Sequence, residues 1–231
     1  MSTRRRPRPA SGRARGDEVV STRARRSSSP DLDGNAPDKC AVALLVIDAI
    51  NHFHFEDADA VLADARRMAR PLRALKARAA RAGIPVVYVN DNFGRWRSDF
   101  RTIVARCSAR GARGRAVTRA LHPGSQDYFV LKPKHSGFYA TCLDLLLEHL
   151  SAETVILTGL LTDICVLFTA SDAYVRGYRV VVPADCVAAR RPADTVRALG
   201  VMRRALGAET PRAADLDLDA LAGPQRESKA R

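Results

Sequence analysis

Apolar residues along the chain fall into five short runs that predict β-strands. The first run, CAVALLVID at residues 40–48, is almost continuously apolar, as in a central parallel strand that is covered on both faces. The other four runs are IPVVYVN at 84–90, DYFVLK at 127–132, TVILTG at 154–159 and YRVVVPAD at 178–185.

Between these strands, apolar residues recur at the 3.6-residue period of an amphipathic helix. The pattern predicts helices over about 57–82, 100–109, 143–150, 163–176 and 192–206. Pro71 lies inside the first helix and is expected to kink or divide it. Strands that alternate with helices predict βαβ units with right-handed crossovers. We therefore expect an α/β fold with three layers, doubly wound (Rossmann-like) around a mainly parallel sheet.

Length and composition divide the 231 residues into three segments. Residues 1–38 are predicted to be a disordered, arginine-rich N-terminal tail, because they contain too few apolar side chains to offset the entropy of ordering. Residues 39–210 are predicted to form one catalytic domain, and residues 211–231 a C-terminal extension. No run of about 18 apolar residues is present, so we expect no membrane span.

The net charge of +13 is not confined to the tail, because residues 1–38 hold nine Arg against five acidic residues. A basic chain is compatible with a nucleic-acid partner or an anionic surface. No nucleic-acid-binding motif accompanies the charge, however, so a small-molecule substrate is favoured over nucleic acid. The five cysteines have no CxxC pair and follow no secretory signal, which indicates free thiols and a cytoplasmic location.

Three polar residues follow strand ends, where ligands bind in sheets of this kind. Asp48 ends the first strand, Lys132 ends the third, and Cys165 follows the fourth at the start of a helix. Singly, each has an ordinary explanation as a turn former, a solvated charge or a buried thiol. Together they offer a nucleophile, a base and an orienting cation. The helix N-terminus and the ammonium are expected to favour the thiolate, and Lys132 to keep Asp48 ionised.

Around these residues the chain resembles the isochorismatase-like cysteine hydrolases. The resemblance covers about residues 40–190, and the segments that carry it are LLVIDAINHF, VLKPKHSGF and LTGLLTDICVLFTASDAYVRGYRVVVPAD. Its most specific part is the GxxTDxCV pattern at Gly159–Val166. The resemblance implies that Asp48, Lys132 and Cys165 form a catalytic triad. It also implies, by analogy, a homo-oligomer, either a dimer or a tetramer.

The resemblance further implies a mechanism for an amide-type carbonyl. Asp48 deprotonates Cys165, the thiolate attacks the carbonyl carbon, and a thioester forms as the amine departs. A non-proline cis peptide is implied at Leu160–Leu161, and the backbone N–H groups of Leu161 and Cys165 would form the oxyanion hole. Water then releases the acid.

The substrate is less well defined by the sequence. The family often has Asp-x-Gln-Asn-Asp-Phe at the first motif, whereas this chain has Asp-Ala-Ile-Asn-His-Phe at 48–53. We expect the pocket to be lined by five residues on the loops after the strands, namely Asn51, Phe53, Asn92, Trp96 and Phe138. Nicotinamidases carry an Asp-x-His metal motif that is absent from the second region here, so no metal site is expected. No glycine-rich dinucleotide or ATP motif occurs, so no cofactor is expected.

Two other functions stay open. One is a vinyl-ether hydrolase of true isochorismatase type, in which Asp48 would act as an acid and Cys165 would be dispensable. The other is a basic nucleic-acid-binding or scaffold protein that keeps the fold without the chemistry.

Overall fold

The structure is a computed structural model that describes residues 39–94 and 96–223. A six-stranded parallel sheet runs through its centre, with strand order β3-β2-β1-β4-β5 and a short β6 that also pairs with β4. The strands are β1 Val42–Ile47, β2 Val86–Asp91, β3 Tyr128–Lys132, β4 Thr154–Leu160, β5 Arg179–Val181 and β6 Val187–Ala188. This confirms the predicted doubly wound α/β fold. β1 and β4 are central and fully buried, as their apolar sequences indicate.

Helices cover both faces of the sheet. They are α1 Ala58–Arg81, α2 Phe100–Ser108, α3 Arg115–Ala120, α4 Leu143–His149, α5 Leu167–Val175, α6 Pro192–Leu206 and α7 Leu218–Ala222. A π-helical turn, Thr162–Val166, precedes α5, and a 3-10 turn, Ala213–Asp215, precedes α7. Side chains of α1, α2 and α3 pack together on one face of the sheet. Those of α4, α5 and α6 pack on the other face.

The helix was expected to be kinked or divided at Pro71, and the structure shows that α1 continues through this residue without division. Proline removes one helical hydrogen bond, but apolar side chains before and after it hold both halves of the helix on the sheet. Met68, Leu72 and Leu75 are all buried there. The packing of this stripe on the sheet therefore outweighs the local preference of one residue.

Of the two terminal segments predicted from the sequence, the structure describes only part of the C-terminal one. The predicted tail, residues 1–38, lies outside the described residues. In the segment predicted as a C-terminal extension, Ala213, Leu216 and Leu218 are buried in the same apolar core as α1. The part of residues 211–231 that the structure describes thus packs against the domain that precedes it. No helix among the described residues is long and apolar enough to cross a membrane.

Candidate active site

Asp48 is held at the carboxyl end of β1 by the neighbouring strand β2. Its backbone has a left-handed conformation, with φ at 49°, which Asp tolerates better than most residues. The backbone N–H of Asp48 donates to the Val89 carbonyl at 3.0 Å, and one carboxylate oxygen accepts from the Asp91 N–H at 2.7 Å. The carboxylate is thereby fixed in a position that is almost inaccessible to water.

The close approach of β1 and β4 depends on Gly159. This residue pairs with Ile47 in the parallel register and has φ at 104°. A Cβ atom at position 159 would lie 1.9 Å from the Ile47 carbonyl oxygen, which is far inside van der Waals contact. Glycine at the end of β4 therefore allows the segment that carries Cys165 to start directly beside Asp48.

Lys132 ends β3 and is completely buried, which is rare for a lysine. Its Nζ lies 2.8 Å from an Asp48 carboxylate oxygen and 3.8 Å from a carboxylate oxygen of Asp91. The same Nζ donates to the Cys165 sulfur at 3.6 Å. The ammonium thus lies between the predicted base and the predicted nucleophile, so the three residues of the predicted triad converge.

Cys165 belongs to the π-helical turn Thr162–Val166. The periodicity had predicted a regular α-helix at this position. Thr169, one turn along in α5, stabilises this position. Its hydroxyl donates to the Cys165 carbonyl at 2.6 Å and accepts from the Gly137 N–H at 3.0 Å. The turn that carries the thiol is therefore connected to the loop that follows Lys132.

In both Asp48 and Lys132, burial and the charge of the partner shift the pKa in opposite directions. Burial raises the pKa of Asp48, while the Lys132 ammonium and the hydrogen bonds from Lys132, Cys165 and Asp91 oppose that rise. Burial also tends to lower the pKa of Lys132, but the Asp48 carboxylate, with smaller contributions from the Cys165 sulfur and Asp91, outweighs it, so the pKa of Lys132 lies above its usual value. Both groups therefore bind a proton more tightly than they would in an ordinary exposed position.

The pKa of the Cys165 thiol lies above its usual value. Burial, followed by the nearby Asp48 carboxylate, raises the pKa of Cys165 to about 12. Lys132 and the backbone N–H of Leu161 lower it, but by less. The Lys132 ammonium does favour the thiolate, as expected, but burial beside a carboxylate outweighs its effect on the pKa. The thiol rests protonated, and it hydrogen-bonds to Asp48.

The backbone groups predicted for the oxyanion hole lie beside the thiol. The peptide bond between Leu160 and Leu161 is cis, as the resemblance implies. The Leu161 N–H points toward the Cys165 sulfur closely enough to favour its thiolate form. The assignment of Leu161 and Cys165 to an oxyanion hole stays a prediction.

The five predicted pocket residues are not brought together. Phe53 is completely buried in the core that contains α1, and Phe138 is buried on the opposite face, beneath the Arg176 guanidinium and 6.0 Å from the Tyr178 ring. Trp96 is 78% exposed. Two of these rings fill cores on opposite faces of the sheet and the third lies on the surface, and their assignment to a substrate pocket stays a prediction.

Asn51 and Asn92 remain near the triad but are occupied locally. The Asn51 side chain accepts from the Phe53 N–H at 2.7 Å, and the Asn92 side chain accepts from the Gly94 N–H at 2.8 Å. Both therefore stabilise turns, as Asn side chains often do. The Asn92 N–H donates to the Lys132 carbonyl at 3.2 Å, so the loop after β2 is attached to Lys132.

Sequence reasoning missed two residues at the end of β2. Asp91 supplies a backbone N–H to Asp48 and a second carboxylate near Lys132. Asn90 is completely buried, and its side-chain amide donates to the Ile50 carbonyl at 3.1 Å and so fixes the loop after Asp48. The available signal was the polar pair Asn-Asp directly after a buried apolar strand.

Two well-defined cavities in the described part of the chain lie away from the triad. One, of about 1050 Å³, is bounded by α1, β6, the start of α6 and residues 212–214. The other, of about 270 Å³, lies between α1 and α3. The pocket expected beside Cys165 is neither of them. The Cys165 side chain is partly buried and packs against the core that contains α4, α5 and α6.

Among residues 39–94 and 96–223, no three His, Cys, Asp or Glu side chains are grouped to hold a metal ion. His52 and His54 lie near each other, with ring centroids 5.0 Å apart. Two imidazoles alone make an incomplete metal site.

Comparison with known proteins places the chain among related sequences and folds. A family model of the isochorismatase domain matches residues 42–215. An uncharacterized isochorismatase family protein, YaaI, from Bacillus subtilis (strain 168) is 37% identical over 171 residues, which is 74% of this chain and 93% of that protein.

Two solved structures are also similar. The N-carbamoylsarcosine amidase from Thermoplasma acidophilum has 35% identity and a TM-score of 0.60, covering 76% of this chain and 98% of its own. The nicotinamidase from Staphylococcus aureus has 25% identity and a TM-score of 0.58, covering 74% and 98%. Both are amidases by name.

Proposed function

The chain belongs to the isochorismatase family of hydrolases, and from this premise we propose that it is a cysteine hydrolase that cleaves an amide-type C–N bond in a small molecule. One observation carries the proposal. The buried Nζ of Lys132 lies 2.8 Å from the Asp48 carboxylate and 3.6 Å from the Cys165 sulfur. Such an arrangement places a base, a cation and a nucleophile within hydrogen-bonding reach.

The protonated resting thiol defines the first step. Because the pKa of Cys165 is near 12, a free thiolate is scarce near neutral pH, and the proton leaves as the sulfur attacks. Asp48 accepts that proton, and a C–S bond forms at the carbonyl carbon. Burial raises the pKa of Asp48, which makes it a better proton acceptor than an exposed carboxylate.

The remaining steps return the site to its starting state. The tetrahedral intermediate carries its negative charge on the former carbonyl oxygen, which the N–H groups of Leu161 and Cys165 would stabilise. The C–N bond breaks as Asp48 gives its proton to the departing nitrogen, and a thioester remains on Cys165. Asp48 then takes a proton from water, whose oxygen attacks the thioester carbon. The C–S bond breaks as Asp48 gives that proton to the sulfur, so the acid is released and the thiol is regenerated.

Lys132 serves as a positioning cation in this mechanism. Its charge stabilises the carboxylate of Asp48 before proton transfer and the thiolate during attack. Complete burial removes competing water, so the charge acts at full strength on both neighbours. The names of the two structural relatives, both amidases, support the amide-type substrate.

Trapping the acyl enzyme tests the proposal. The full chain would be incubated with a panel of small amides and ureas, and mass spectrometry would locate any adduct. We expect an acyl group on Cys165 that is absent from Cys165→Ala. Cys142→Ala is the matched control, because that thiol is free and exposed, and its adduct on Cys165 should persist. Turnover retained by Cys165→Ala would contradict the covalent route and favour vinyl-ether hydrolysis.

The cytoplasmic location and the homo-oligomeric state are proposals of the same standing. All five cysteines are unpaired in the structure, which fits a reducing compartment. Light scattering of the full chain in solution tests for a dimer or a tetramer.

A further inference from the structure

The excess positive charge is concentrated in one layer of the fold. Residues 58–127, which include α1, α2 and α3, contain 15 Lys and Arg against five Asp and Glu. Residues 128–223, which include α4, α5 and α6, contain ten against eleven. The composition alone does not show that the positive charge lies in one layer. That conclusion also depends on the packing of α1, α2 and α3 on the same face of the sheet. The charge is therefore a local surface property of that layer.

Within this layer, Arg66, Arg70 and Arg73 form what we call the arginine ridge. They lie on successive turns of α1 and are exposed. They border the cavity of about 270 Å³, whose other lining residues are Ala69, Ala116, Val117 and Ala120. No acidic side chain lines this groove.

The arginine ridge has no counter-charge within the part of the chain that the structure describes. Other basic residues of the layer do have one: Arg67 pairs with Asp64, and Lys76 pairs with Asp127 at 2.6 Å. Neighbouring guanidinium groups repel one another, and only solvent screens them in the free protein. A ligand that carries several negative charges would relieve that repulsion.

The size and lining of the groove narrow the class of ligand. Its volume is below the 300 Å³ or so that usually encloses a small molecule, so it would hold part of something larger. Its floor is alanine and valine, with no aromatic ring on which a base could stack. Guanidinium groups match phosphate oxygens in a two-pronged geometry. Arg115 and Arg119, exposed on α3, add positive charge on the other side of the groove.

We propose that the arginine ridge binds the phosphate backbone of a nucleic acid, without reading its sequence. Contacts of this kind are electrostatic and weaken steeply with salt, because binding releases counterions from the phosphates. Helix α1 has 24 residues and a length of about 36 Å, so its basic side chains can follow an extended polyanion. The proposal stands independently of the hydrolase, because no triad residue belongs to the ridge.

Fluorescence anisotropy of the full chain with labelled duplex DNA of mixed sequence tests the proposal. The ridge variant Arg66→Gln, Arg70→Gln, Arg73→Gln removes three positive charges. The matched control Arg197→Gln, Arg203→Gln, Arg204→Gln removes three exposed charges from α6, on the other face. We expect the ridge variant to bind at least about tenfold more weakly and to lower the slope of log K against log salt by about 2 to 3. The control should change affinity by less than about threefold.

Two further arms identify the partner. Polyglutamate and vesicles that contain phosphatidylserine present negative charge without a nucleic-acid backbone. Ridge-dependent binding to either of these, with none to DNA or RNA, would overturn the proposal. Equal losses in the ridge and control variants would also overturn it, because they would show a response to net charge alone. Circular dichroism would verify that both variants are folded.

Discussion

The three triad residues and the five predicted pocket residues contrast in how the fold positions them. Each triad residue lies at the end of a buried strand or in the turn directly after one, and the sheet brings all three within a few ångströms. The pocket residues lie on loops, and their side chains go to two cores, two local turns and the open surface. Strand topology thus fixes the three predicted catalytic side chains, whereas loop side chains follow local packing and hydrogen bonding.

Among the substitutions that test this difference, Asp48→Asn should reduce activity most, because Asp48 is the predicted base. Asp48→Asn keeps the shape of the side chain and removes its ability to accept a proton. We expect kcat to fall by about 10³-fold to 10⁴-fold, because proton transfer accompanies both attack and departure. Steady-state kinetics on a substrate from the amide panel would measure this. Activity within tenfold of the native chain would show that another group is the base.

Lys132→Met tests whether the buried ammonium is needed to balance Asp48. Removing one partner of a buried pair leaves an uncompensated charge, and we expect a loss of about 3–5 kcal/mol in the free energy of unfolding. Urea denaturation would measure it. The double variant Asp48→Asn, Lys132→Met should recover part of that stability, because the buried carboxylate of position 48 is then no longer left without its cation. Equal stability of the single and double variants would contradict the coupling.

Phe138→Ala tests the assignment of a predicted pocket residue to the core. Because the ring is buried against Tyr178 and under Arg176, we expect about 3–5 kcal/mol of destabilisation. KM should stay within about twofold of the native value, measured at a temperature where the variant is folded. A large rise in KM with little loss of stability would restore Phe138 to the pocket.

Regular elements were predictable because their signals are strong and local. Each of the five apolar runs contains a strand, although β5 covers only three residues of the last run, and α6 occupies the predicted residues 192–206. The two-residue β6 was missed, since so short a pairing has no period of its own. Helix α3 was also missed. It has only six residues, and the glycine and proline residues that flank it in the sequence suggested turns. A helical period also cannot distinguish the π-helical turn at Cys165 from an α-helix.

The triad was predictable from strand ends and motif residues, but its electrostatics were not. The high pKa of Cys165 depends on burial and on the exact position of Asp48, neither of which the sequence displays. Asp91 and Asn90 act through one backbone N–H and one buried amide, so their residue types alone do not reveal a role. Tertiary contacts, and not local propensity, determine these properties.

The titration of Cys165 tests how Asp48 and Lys132 shift the pKa of its thiol. In the native chain, thiolate absorbance in the ultraviolet should develop only as the pH approaches 12, relative to Cys165→Ser. Asp48→Asn removes a charge that raises the thiol pKa, so its thiolate should develop at lower pH. Lys132→Met removes a charge that lowers the pKa, so its thiolate should develop at higher pH. Shifts in the reverse directions would contradict the assigned electrostatics.

The smallest effect is expected at the surface residue of the pocket prediction. Trp96 is 78% exposed, so Trp96→Ala should change the free energy of unfolding by less than about 0.5 kcal/mol. Phe100→Ala, four residues away, is the matched control, since that buried ring stacks on Phe129 with centroids 5.2 Å apart and should cost about 3 kcal/mol or more. KM should be unchanged in Trp96→Ala. A tenfold rise in KM in this stable variant would mean that the loop brings Trp96 to the substrate, and the contrast between strand ends and loops would then fail at this position.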